Sequence, residues 1–155
     1  MAAVVAFVSQ KGGVGKSTLA RALAREAAAG ELRVKIADLD TQQGTSVDWH
    51  RARLGISIEP IVSVEAFKTA SQALAAADGF DLLIIDGPAR TSKATLEIAR
   101  SSSLVVQPPA HPWTISGLPS ANTMPLLRRV SRLDGSFLRS TALELRLKKM
   151  TRGRI

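Results

Sequence analysis

The sequence contains no cysteine. A disulfide framework, thiolate zinc sites and cysteine-held iron–sulfur clusters are therefore excluded. It has no long hydrophobic run either: the apolar stretches are short, none approaches the ~18 residues of a membrane span, and no basic leader followed by an apolar block opens the chain. Internal repeats are also missing. Together these absences lead to the expectation of a soluble cytoplasmic protein. At 155 residues the chain is one domain at most.

What is present begins with charge. The net charge is +8, but residues 1–108 hold 12 Lys+Arg against 11 Asp+Glu, whereas 109–155 hold 9 against 2. The excess belongs to the last third of the chain. Such a segment suits contact with DNA phosphates, and equally suits plain solvated or disordered charge; composition leaves both open.

Short apolar runs alternate with helical periodicity over the first 108 residues. Segments 2–9, 33–40, 81–88 and 104–108 read as buried strands, and "ISIEPIV" (56–62) as a further strand. Helices are expected over 16–29, where Gly30 supplies a stop, and over 45–54 and 91–102. Another is expected over 63–78, with a capping-box start at Ser63 and a stop at Gly79. The alternation argues for an α/β fold whose mainly parallel sheet is covered on both faces. Beyond Pro108 the pattern stops. Four prolines crowd 109–125, and residues 126–155 are arginine-rich with at most one weak helix near 138–150.

The chemistry concentrates in "VSQKGGVGKSTLA" (8–20). Gly12, Gly13 and Gly15 let the loop after the first strand wrap closely, so that backbone N–H groups and the next helix N-terminus point at a phosphate chain. Lys16 suits the β- and γ-phosphates, and the Ser17 hydroxyl is a hard oxygen ligand for Mg²⁺. A standard loop of this kind has glycine at position 10, where Gln10 stands, and it has no need of a second lysine at position 11.

Lys11-Gly12-Gly13-Val14-Gly15-Lys16-Ser17-Thr18 resembles the deviant Walker A motif of the ParA/MinD group of P-loop ATPases. The resemblance implies a three-layer P-loop NTPase fold, incomplete at the C-terminal end. It also implies that Lys11 reaches across a nucleotide-sandwich dimer to the partner's phosphates, supplying positive charge in trans as an arginine finger does. "IADLDTQQG" is similar to the group's second motif, which implies that Asp38 acts near Mg²⁺ through water and that Asp40 orients the attacking water. "LLIIDGPA" is similar to a Walker B strand, which implies that Asp86 acts on Mg²⁺ from its outer shell and that Gly87-Pro88 opens a switch loop sensing the γ-phosphate. Each acid taken alone also suits a strand end or a helix cap. "DLDTQQGTSVDWHRAR" is closer to partition ATPases than to the division-site branch. Trp49 and His50 suit either a partner contact or packing on the sheet.

The implied protein binds and hydrolyses ATP with Mg²⁺ as a homodimer, in plasmid or chromosome partition. The implied partners are nonspecific DNA and a ParB-like centromere-binding adaptor, with no stable membrane association and a nucleoid-associated location. A truncated, inactive nucleotide-binding fragment is the alternative reading. A third has "FLRSTALELRLKKM" (137–150) lying on a membrane surface.

The motif resemblance covers residues 2 to about 107. The group continues with an Asn-bearing adenine-reading segment, whereas the only asparagine here is Asn122, flanked by prolines with no strand before it. The expectation is therefore a P-loop ATPase core over 1–108 and a divergent, poorly ordered basic tail over 109–155. Truncation, a reading-frame change at Pro108 or Pro109, or a genuine short member would each give this pattern. Codons legal for "PPAHPWTISGL", read two bases later, can give Thr-Gly-Pro-Ser-Leu-Asp-Asp-Leu-Arg-Pro, which resembles the group's continuation.

Overall fold

A computed structural model describes residues 2–89 and 93–108. The expected weak helix near 138–150, the surface helix over 137–150, Asn122 and the whole 109–155 tail lie outside the described residues, as do Arg90, Thr91 and Ser92.

Among the described residues five strands, β1 (Ala3–Phe7), β2 (Val34–Asp38), β3 (Ser63–Ala66), β4 (Leu82–Asp86) and β5 (Leu104–Val106), alternate with four helices, α1 (Lys16–Ala29), α2 (Thr45–Gly55), α3 (Ala70–Ala75) and α4 (Lys93–Ser101). The strands form one parallel sheet in the order β3-β2-β4-β1-β5. β2 and β4 are buried along their whole length, as strands covered on both faces must be. On one face Ala20, Leu23, Ala24 and Ala27 of α1 pack with Val5, Phe7, Ile36 and Ile84, and Trp49 of α2 leans on the same cluster. On the other, Ala70 and Ala73 of α3 and Ile98 of α4 pack with Val4, Ala6, Leu83 and Ile85. The fold is thus the expected three-layer α/β P-loop NTPase type. The alanines of α1 let that helix approach the sheet closely while costing nothing in helix propensity.

The expectation fails between residues 56 and 78. The strand is not 56–62 but Ser63–Ala66, paired with Lys35–Asp38 of β2, and the helix starts not at Ser63 but at Ala70. The chain at 56–61 is irregular, and Ile56, Ile58 and Ile61 are exposed; hydrophobicity there is not burial. The operative cap is Thr69: its Oγ1 accepts the Gln72 N–H (3.2 Å), while Gln72 Oε1 accepts the Lys68 N–H (3.2 Å). That reciprocal pair satisfies donors left over at the helix start, and it lies six residues later than the expected start.

Sheet order positions the site. Phe7 and Asp38 are both in register with Asp86, so the ends of β1, β2 and β4 lie side by side and the loops that leave them depart from the same edge.

Candidate functional site

The loop after β1 is shaped by glycine where side chains are excluded. Gly13 (φ 73°) and Gly15 (φ 87°) are left-handed, Gly15 as the residue that opens α1. With no side-chain cap on Gly15, the first N–H groups of α1 are not capped by that residue. Lys16 is buried, and its Nζ donates to Ser9 Oγ (3.0 Å), which in turn donates to the Lys11 carbonyl (2.6 Å). Ser9 therefore tethers the ammonium group to the loop. Arg21, one turn into α1, donates to the Ser17 carbonyl (2.9 Å) and to the Thr45 carbonyl (3.3 Å), fastening the first turn of α1 to the start of α2.

Asp38 and Asp86 are fully buried at the ends of β2 and β4. Asp38 spans the next loop: Oδ1 accepts the Asp40 N–H (3.0 Å) and Oδ2 the Ser46 N–H (3.2 Å). Because α2 opens on Gly44, which has no side chain to cap it, Asp38 serves as its N-terminal anion. The capping role and the position beside the phosphate loop coexist in one residue. Asp40 is half-buried, and its carbonyl accepts the Gln43 and Gly44 N–H groups, closing a turn. Asp86 Oδ2 accepts the Ser46 hydroxyl (2.8 Å). Its Oδ1 is buried without a hydrogen-bond partner among the described residues.

Burial raises the Asp86 pKa; the Ser17 and Ser46 hydroxyls and the Lys16 charge pull it back, while Asp38 pushes it further up. Burial likewise raises Asp38, opposed by the N–H groups of Asp40, Ser46 and Val47 and aided by the Asp40 charge. Ser17 and Lys16 thus lie close enough to Asp86 to act on it, yet neither is bonded to Oδ1.

An unpaired buried carboxylate oxygen costs free energy on its own, so the arrangement suits a cation that completes it. Among the described residues no group of three or more acids or histidines forms a metal cage. The donors at hand are hard oxygens and few, which fits Mg²⁺ held partly by phosphate and water, and does not fit zinc.

Gly87 comes directly after Asp86 with its N–H on the Phe7 carbonyl (2.9 Å), and a Cβ there would stand 3.0 Å from that oxygen. A side chain there would crowd the Phe7 carbonyl and the Val8 side chain, so glycine gives β4 its close exit against β1.

Of the residues singled out from the sequence, Lys16, Ser17, Asp38 and Asp86 come together. Val14 is half-buried in the loop, Thr18 is exposed on α1, and Lys11 is exposed. Trp49 packs on the core with Arg53 stacked 4.9 Å from its ring, which favours the packing role over a partner contact. Ser9, Arg21 and the part played by Ser46 were not legible. Ser9 had one available signal, its position seven residues before the loop lysine.

A parallel three-layer sheet whose first strand runs through a glycine loop into a helix defines a P-loop nucleotide-binding protein. A family model described as the CobQ/CobB/MinD/ParA nucleotide binding domain matches residues 5–145, and the chain belongs to that family. The match runs on past residue 107, where the motif resemblance ends. No curated protein matches significantly.

Among solved structures, a cobyrinic acid a,c-diamide synthase from Mycobacterium smegmatis with bound ADP and magnesium is 25% identical, over 72% of this chain and 63% of that one, with a TM-score of 0.56. The same synthase with an ATP analogue and magnesium gives 0.55. The chain thus spans under two thirds of that enzyme's length. A putative plasmid partition protein from Borrelia burgdorferi B31 bound to AMPPNP shares the fold at 17% identity, over 94% of this chain and 80% of that one, with a TM-score of 0.57. No helix among the described residues is long and apolar enough to cross a membrane.

Proposed function

We propose that this chain is a ParA-type ATPase that takes Mg²⁺ and ATP into the loop at 11–18 and hydrolyses the nucleotide as a sandwich dimer, in plasmid or chromosome partition. The observation that carries the reading is the pairing of a tethered, buried Lys16 with a buried Asp86 oxygen that has no partner among the described residues, at the neighbouring strand end. The relatives crystallised with ADP or ATP analogues and magnesium support the ligand class.

In this reading the N–H groups of Gly12, Gly13, Val14, Gly15, Ser17 and Thr18 line the phosphate chain, and Lys16 moves from Ser9 onto the β- and γ-phosphates. Ser17 would ligate Mg²⁺, with Asp86 and Asp38 acting on it through bound water. The metal, when bound, draws off charge from the phosphates. Asp40 orients the water whose oxygen attacks the γ-phosphorus as the bond to the β–γ bridging oxygen breaks, giving ADP, inorganic phosphate and a proton released to solvent. Lys11, exposed in the single subunit, meets the phosphates held by a second copy, so turnover depends on dimerisation. The basic 109–155 segment suits nonspecific DNA, and the family resemblance supplies a ParB-like adaptor as the stimulating partner and a nucleoid-associated, cytoplasmic location.

Two substitutions test this. Lys16→Ala is expected to abolish binding of a fluorescent ATP analogue and all turnover. Lys11→Ala is expected to keep binding while losing turnover and the ATP-dependent dimer seen by light scattering. Turnover in Lys11→Ala equal to wild type would overturn the trans-lysine mechanism. Wild-type binding without turnover would favour the non-cycling fragment.

A further inference from the structure

Among the described residues, Ser46 is the one that hydrogen-bonds both buried carboxylates, and nothing in the motifs gives it a task. It sits in the first turn of α2, fully buried. Its N–H donates to Asp38 Oδ2 (3.2 Å) and its hydroxyl to Asp86 Oδ2 (2.8 Å). The hydroxyl thereby occupies one oxygen of Asp86 and leaves the other, Oδ1, without a partner among the described residues. A carboxylate held through a single oxygen cannot rotate freely about its terminal torsion, so the position of the open oxygen is fixed by the bond on the closed one.

The backbone link matters as much. Asp38 also holds the Asp40 N–H, and Arg21 ties the neighbouring Thr45 carbonyl to α1. Ser46 therefore stands where the turn carrying Asp40, the start of α2 and the end of β4 meet.

From this geometry we infer that Ser46 is the positioning residue of the metal site: it orients Asp86 so that Oδ1 faces Mg²⁺, and couples that acid to the Asp38–Asp40 turn. The inference rests on the proposed nucleotide site and adds a residue to it. Ser46 itself touches neither metal nor nucleotide. Its effect belongs to the Mg²⁺-dependent part of binding alone.

The test titrates a fluorescent ATP analogue into the full chain, in EDTA and at graded Mg²⁺. Ser46→Ala, which removes a single oxygen, is expected to leave the affinity in EDTA unchanged and to raise the Mg²⁺ half-saturation roughly 10- to 100-fold, the usual effect of losing a ligand's supporting partner. In an Asp86→Asn background the same change is expected to add nothing, because Ser46 acts through that carboxylate.

Mg²⁺ dependence equal to wild type overturns the inference. So does an equal loss of affinity in EDTA, or an additive effect in the double variant, since either marks a general folding role. Should Ser46→Ala fail to fold, Ser46→Cys, of similar shape with a weaker donor, is titrated in its place with the same expected split between EDTA and Mg²⁺. A wild-type chain that binds no nucleotide at all is a different result, and overturns the nucleotide site itself.

Discussion

Asp86 carries the sharpest conflict between stability and use. Its Oδ1 is buried with no partner among the described residues, and leaving such a group unsatisfied costs about 1–3 kcal/mol. Asp86→Asn removes the charge and is expected to raise the melting temperature of the metal-free chain by several degrees, while abolishing the extra stabilisation that Mg²⁺ and ATP together give; thermal melts with and without both ligands check this. The pH dependence has its origin in the same burial. Asp38 and Asp86 are both raised, so the folded chain holds their protons to higher pH than the unfolded chain does. Their contribution to stability is fully present below the unfolded carboxylate value near 3.8 and is lost as pH rises through the raised folded values. In EDTA, Asp86→Asn is expected to flatten that decline in a series of melts from mildly acidic to neutral pH. An unchanged slope would assign the decline to Asp38.

The capping of α3 shows how an element boundary escapes pattern reading. "SVEAFKTASQALAAAD" contains helix formers throughout, and its first serine invites a start signal. The backbone at 63–66 instead pairs with β2, because Val64 there lies against the core face shared with Ile36. Ladder hydrogen bonds then override local propensity. The true start, Thr69 with Gln72, is a T-x-x-Q pattern that was present in the sequence but lay inside the segment expected to be helix. Thr69→Ala is expected to destabilise the chain by about 0.5–2 kcal/mol, with α3 fraying first; denaturant titration and amide exchange over residues 70–77 measure both. By contrast α1 has the same bounds in the sequence pattern and in the structure, since its alanine-rich face and the glycines at each end all point to one answer.

Charge is divided along the molecule more sharply than any other property. The 1–108 segment is nearly balanced and 109–155 carries the basic excess, so the proposed nonspecific DNA binding is expected to weaken steeply with salt. Replacing Arg128, Arg129 and Arg132 by glutamine is expected to flatten the dependence of log K on log salt by about 0.9 for each phosphate that is no longer neutralised. Filter binding at several ionic strengths reads the slope; an unchanged slope would place the DNA surface in 1–108.

The order of residues alone was enough for the parallel α/β class and the glycine loop between β1 and α1, and it singled out Asp38 and Asp86, which the sheet sets side by side. Those features depend on contiguous residues: a strand covered on both faces is apolar along its run, and the left-handed turns at Gly13 and Gly15 favour glycine. Only the assembled sheet decided that β4 lies between β1 and β2. That order brings Asp86 into register with both Phe7 and Asp38, and sets Ser46 between two carboxylates that are 48 positions apart in the chain. Such a contact has no local signature, because strand order is settled by which faces and edges bury best across the whole sheet, and a single hydroxyl leaves no period in the sequence.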